Sequence, residues 1–177
     1  MSKREMEQLV AEYGDDLYRF CIHLTGNPDL ADDLYQDTFV KMVQRRHRLE
    51  RSGNVKSYLM GVAVNLWRNT IRKENGRRRI APQADFEMSE GQAADETQEP
   101  LNKVLQEERN RELLQAVRML PQNLRMVVLL YYSAECSARE IAQILHIPRG
   151  TVLSRLSAAR KRLKERLEEM EHAKRDS

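Results

Sequence analysis

The chain has 177 residues, 41% of them apolar and 32% charged, and a formal net charge of +3. That length holds one medium domain or two small ones. No apolar run is long enough to cross a bilayer, and the start MSKREMEQLV lacks the apolar centre of a signal peptide, so a cytoplasmic protein with no direct membrane insertion is expected.

In chain order, the first predicted helix carries Leu17, Phe20, Cys21 and Leu24 on one face and stops at Thr25-Gly26-Asn27. Asn27-Pro28 is a good N-cap and first-turn pair for a second helix through ADDLYQDTFVKMVQ. A break at Arg51-Ser52-Gly53-Asn54 precedes a third helix, VKSYLMGVAVNLWRNTIRKENGRRR. Leu59, Val62, Ala63, Leu66 and Ile71 should turn to its core side. Residues 84–100, ADFEMSEGQAADETQEP, hold six acids and no base and lack helical periodicity. Such a segment offers too little apolar area to offset its ordering entropy, so a flexible linker over 81–102 is expected between units 1–80 and 103–177. After it come four expected short helices, starting with a charged one from Leu101 to Met119 and continuing with LRMVVLLYY. Seven glycines and five prolines suit helices, and no segment alternates convincingly as a strand. The expected fold class is all-α, two small helical domains.

The final pair of helices is a helix-turn-helix. Ser137 followed by Glu140 forms a capping box, and Ile141, Ile144 and Leu145 give the first helix an apolar face. His146-Ile147-Pro148 breaks it. From Arg149, the residues Val152, Leu156, Ala159 and Leu163 form one buried stripe, leaving Arg149, Ser154, Arg155, Ser157 and Lys161 largely elsewhere. An apolar back with a basic, short-polar front suits the DNA major groove, where arginine reads guanine edges. A solvated helix pair in an ordinary bundle would show similar charge runs, but not the coincidence of box, turn and arginine-rich helix.

Charge is segregated despite the small net value. Acids gather at Asp15, Asp16, Asp29, Asp32, Asp33 and Asp37, and bases at Arg68, Arg72, Lys73 and Arg77–Arg79, and again from Arg149 to Arg166. Two nucleic-acid-facing surfaces and one acidic surface for another contact follow. Cys21 and Cys136 are far apart and read as small core residues. The four histidines have no metal spacing, no glycine-rich loop cradles phosphate, and no carboxylate pairs with a histidine. No catalytic residue, metal or cofactor is expected.

Four segments in order, DLYRFCIHLTGNPDLADDLYQDTFVKM, SYLMGVAVNLWRN, LPQNLRMVVLLYY and SAREIAQILHIPRGTVLSRLSAAR, resemble the extracytoplasmic-function group of bacterial RNA polymerase sigma factors. The resemblance covers nearly the whole chain. It implies a non-enzymatic initiation factor that joins core polymerase, recognises −10 and −35 elements and traps melted strand. It implies the β′ coiled coil and β flap of core polymerase, promoter DNA and a membrane-associated anti-sigma factor as partners.

By this resemblance Asp33, Gln36 and Asp37 would grip the β′ coiled coil. Their spacing puts them on one helix face, which a merely solvated face would also do. Asn65 would help hold an unstacked base of the −10 strand, an amide offering both donor and acceptor. Tyr58 stands where the family commonly has tryptophan, with core packing and base stacking both open to it. Trp67 lies off that position and suits core or interface. The stretch His47 to Lys56, with Arg48, Arg51, Asn54 and Lys56, corresponds to the −10 specificity loop, and Arg68 and Arg72 would neutralise phosphates. Arg149, Thr151, Ser154, Arg155 and Ser157 match −35-reading positions, with Arg160 and Lys161 on phosphate. His146 stands where the family turn often has glycine, and Leu153 and Ser157 where it often has a base. A free-standing helix-turn-helix repressor or activator is the alternative, although it gives no task to the acidic helix around Asp33 or the basic helix around Arg72.

Overall fold

The computed structural model describes the backbone of residues 2–80 and 101–177 and the side chains of residues 2–77 and 108–177. The helices are α1 (Lys3–Thr25), α2 (Pro28–Gln44), α3 (Arg46–Arg51), α4 (Val55–Ile80), α5 (Leu101–Met119), α6 (Gln122–Tyr132), α7 (Ala138–Leu145) and α8 (Arg149–Arg175). All regular structure among the described residues is helical. The acidic stretch read as a linker lies outside them from residue 81 to 100.

Local chemistry sets the helix ends. Ser2 and Glu5 make a reciprocal capping box at the start of α1, and Gly26 ends it at φ +69°, where the absence of a Cβ removes the penalty of the left-handed region. The Asn27 side chain accepts from the amides of Asp29 and Leu30 at 2.9 and 3.1 Å, with Pro28 opening α2. Gly14 lets α1 and α2 approach closely, since a Cβ there would lie 2.9 Å from the Tyr35 hydroxyl.

α1, α2 and α4 pack together as the N-terminal unit around Leu17, Phe20, Cys21, Leu24, Leu34, Met42, Leu59 and Val64. Two details differ from the sequence reading. The stretch from His47 to Lys56 is not all loop, because α3 occupies its first half, burying Leu49, and α4 begins at Val55. On α4, Val62, Leu66 and Ile71 are only half-buried, while Met60, Val64 and Trp67 take the inner positions, a small rotation of the buried stripe.

The C-terminal unit packs α8 against α5, α6 and α7. Its four helices are not uniformly short. α8 runs for 27 residues, and Lys174 near its end pairs with Glu108 at 2.7 Å and with Glu112 on α5. The charged tail therefore docks along α5. The two units abut, and their buried residues form one continuous apolar cluster.

Candidate nucleic-acid and polymerase interfaces

The outer face of α2 combines polar and apolar groups. Its inner face buries Ala31, Leu34, Thr38, Phe39 and Met42, which leaves Asp33, Gln36 and Asp37 exposed on the other side. Val40 and Val43 are also exposed there, at 56% and 40%. Val40 continues the row from Asp33 and Gln36 at helical spacing. Exposed valines beside acids and an amide favour a protein partner over water alone. The sequence reading missed both valines, although their spacing from Gln36 was visible.

On α4 a cavity of about 320 Å³ is lined by Arg45, Arg48, Ser52, Asn54, Ser57, Tyr58, Gly61, Val62 and Asn65, and closed on one side by Glu140, Gln143 and Ile144 of α7. Four of the residues expected at the −10 element, Arg48, Asn54, Tyr58 and Asn65, thus meet in one place. Arg68 and Arg72 continue the same helical face beyond it. Gly61 and Val62 were missed, yet they fall on the turn between Tyr58 and Asn65 that any occupant of this face must cross.

Two expected residues carry structural duties. The Asn54 side chain accepts from the Ser57 amide at 3.0 Å and so caps the start of α4. Lys56 is not part of the cavity lining, and its ammonium lies 3.1 Å from Asp16 on α1. The Tyr58 ring packs partly against the core, and its buried hydroxyl has no partner among the described residues. Trp67 is 7% exposed and its indole nitrogen donates to Gln122 Oε1 at 3.2 Å, so it is an interface residue. Arg77 pairs with Glu74 at 3.3 Å, while the side chains of Arg78 and Arg79 lie outside the described residues.

In the C-terminal unit both hydrogen bonds of the Ser137–Glu140 box are present, at 2.7 and 3.1 Å. Val152, Leu156 and Ala159 are buried and Leu163 packs against them, as the stripe required. Arg149, Ser154, Ser157, Arg160 and Lys161 are exposed, and Thr151 and Arg155 are half-buried. Ser154 turns its hydroxyl to the Thr151 carbonyl at 3.1 Å. Arg160 lies over the rings of Tyr131 and Tyr132 and donates to the Tyr132 hydroxyl at 2.8 Å, which holds its charge close to α6.

His146 adopts φ +54° at the end of α7, the left-handed geometry its position demanded. A side chain there costs about 1–2 kcal/mol, partly offset by the smaller chain entropy lost relative to glycine. His146 is exposed, so His146→Gly should stabilise the protein by about 0.5–1 kcal/mol in thermal denaturation. A fall in stability would mean that the imidazole itself holds the turn.

Burial pushes the Cys21 thiol up to about 12 and raises that of Cys136, so both are poor nucleophiles and behave as core residues. No helix among the described residues is long and apolar enough to cross a membrane.

Comparison with known proteins agrees with this arrangement. Models of sigma-70 region 2 and sigma-70 region 4 match residues 9–77 and 110–163. The chain is 31% identical over 159 residues to the ECF RNA polymerase sigma factor SigM of Bacillus subtilis, spanning 90% of this chain and 93% of that protein. It is 28% identical over 167 residues to SigW of the same organism, spanning 92% and 88%. Among solved structures it is similar to the sigma factor RpoE of Bartonella quintana in complex with the anti-sigma factor NepR, with a TM-score of 0.74, 25% identity and coverage of 93% and 98%. The family acts in transcription initiation and is not a family of enzymes. The chain belongs to it: this is an RNA polymerase sigma factor of the extracytoplasmic-function group, which directs initiation at promoters.

Proposed function

We propose that residues 1–80 bind core polymerase through the outer face of α2 and hold melted −10 strand in the α4 cavity, while residues 103–177 read the −35 duplex with α8. The observation that carries this is the cavity itself, which sets the Tyr58 ring and the Asn65 amide of α4 beside Arg45 and Arg48 from the α2–α3 junction and α3, with Arg68 and Arg72 further along α4. Asn65 would face a base edge and Tyr58 a base plane. Arg68 and Arg72 would follow the phosphates, giving binding that weakens steeply with salt. In α8, Arg149, Thr151, Ser154, Arg155 and Ser157 would meet the major groove, with Arg160 and Lys161 at its phosphate edge.

Asp33, Gln36 and Asp37 would engage the β′ coiled coil, with Val40 and Val43 adding apolar contact, and the C-terminal unit would meet the β flap. The protein would work in the cytoplasm, with a stress or envelope signal relieving a membrane-associated anti-sigma factor. The Bartonella relative bound to its anti-sigma factor supports an anti-sigma partner; its membrane association is implied by the family resemblance alone.

The test is transcription by purified core polymerase on a fragmented genomic library, with and without the protein. New transcripts sharing a pair of spaced upstream motifs are expected. Silence, with tight salt-sensitive duplex binding by the free protein, would favour a repressor instead. Asp33→Ala with Gln36→Ala should weaken core binding about tenfold in a pull-down titration, the loss of one or two charge-assisted contacts. Arg155→Ala should cost about 1–3 kcal/mol at a preferred −35 site and little elsewhere, whereas uniform loss on all duplexes would mark it as a phosphate contact.

A further inference from the structure

Every residue of α6 from Leu124 to Leu130 is buried, yet the helix ends on two adjacent tyrosines at the surface, Tyr131 37% and Tyr132 55% exposed. Neighbours in a helix point about 100° apart, so an adjacent pair does not ordinarily share a contact. Here the rings converge edge to face, with centroids 4.9 Å apart. What they converge on is Arg160 of α8. Its guanidinium carbon lies 5.7 Å from the centre of the Tyr131 ring and 5.8 Å from that of Tyr132, and its Nε donates to the Tyr132 hydroxyl at 2.8 Å.

This clasp engages one nitrogen of the guanidinium and leaves the other two. Among the described residues neither Nη atom makes a hydrogen bond, and Arg160 is in no ion pair. An arginine grips a phosphate through a fork of two parallel N–H donors. With Nε tied to Tyr132, the fork that stays open is the outer one, made by the two Nη atoms. Tyrosine carries no formal charge, so the clasp orients the cation without neutralising it as a carboxylate would. Position along the helix agrees. Arg160 lies about three turns beyond Arg149, roughly 16 Å along the axis, whereas a recognition helix reads bases with its N-terminal residues. A cation that far along meets the sugar-phosphate backbone. A loose arginine loses rotamer freedom on gripping a phosphate, and one already held loses less.

We propose that Tyr132, supported by Tyr131, is a positioning residue for DNA binding that presents the outer fork of Arg160 to one phosphate of the −35 duplex. The destination of the fork rests on the reading of α8 as the −35 helix; the clasp does not. Tyr132 and Arg160 also line a cavity of about 490 Å³ between α5, α6 and α8, where contact with core polymerase is the competing role.

The test uses the full chain: the native protein, Tyr132→Phe, Arg160→Ala and the two changes together. Arginine side-chain NMR reads the clasp. The Arg160 Nε–H should exchange slowly with water in the native protein and fast in Tyr132→Phe, and equal exchange would overturn the clasp. Duplex binding is measured on a random-sequence pool, because phosphate contact does not depend on sequence. Tyr132→Phe should weaken it about threefold to tenfold, the scale of one immobilised long side chain. Arg160→Ala should weaken it at least as much and lower the salt slope by about one. In the Arg160→Ala background Tyr132→Phe should add nothing, a coupling that a merely structural tyrosine would not show. Additive losses, or tighter binding by Tyr132→Phe, would overturn the presenting role. Unchanged duplex binding would overturn it too, and weaker association with core polymerase in the same variant would assign the cluster to the cavity. If the native chain bound no duplex while its Arg160 signal stayed protected, the −35 reading itself would fall, and the presenting role with it.

Discussion

Leu156→Ala should destabilise the C-terminal unit by about 2–5 kcal/mol and abolish sequence-specific duplex binding. Leu156 is 1% exposed and lies between Val152 and Ala159 on the stripe that seats α8 on α6 and α7. Truncation removes the transfer free energy of the lost carbons and leaves a cavity that the neighbouring helices fill only partly. A unit this small has little stability to spare, so the cost is comparable with the whole. Leu153, one turn face away and 45% exposed, is the contrast: Leu153→Ala should change stability by no more than about 0.5 kcal/mol. Calorimetry on both variants decides the matter. Equal melting of the two would mean that the stripe does not hold the reading helix.

Acid should weaken the fold over a window that one histidine defines. Burial, then the charges of Arg118 and Arg19, push the His23 imidazole down from 6.5 to about 4, and its Nδ1 has no partner among the described residues. The folded chain thus keeps His23 neutral where the unfolded chain protonates it. Stability from this group is complete above about pH 6.5 and falls as the pH drops toward 4, by up to about 3 kcal/mol and by about 2 kcal/mol at pH 5. Denaturant unfolding at pH 7.5 and pH 5 should show this loss in the native chain, and His23→Gln should remove most of it. Identical pH slopes for the two proteins would show that other groups set the acid limit.

Much of this was readable because the signals were local. Ser137 and Glu140, Asn27 and Pro28, and the turn at His146 each act over a few residues, so their geometry follows from type and spacing. The α8 stripe likewise needed only helical periodicity. Arg125 was not readable. Within LRMVVLLYY an arginine looks like the solvent-facing position, and its burial depends on a carbonyl 101 residues earlier in the chain. The same holds for Trp67, which suggested an interface but could not name Gln122 as its partner. α3 was hidden for another reason: six residues with no side-chain cap carry too little periodicity to stand out from a loop.

On the strand-site reading of the cavity, Asn54 would tie base recognition to the folding of the helix it caps. A change there would alter what the cavity accepts and release the Ser57 amide in the same stroke, at about 1 kcal/mol for a lost cap. Arg45 and Arg48 line the same cavity, and among the described residues neither side chain serves as a cap or ion-pair partner. Over evolutionary time, new promoter preferences would therefore accumulate at the arginines, while the asparagine, doubly committed, drifts slowly.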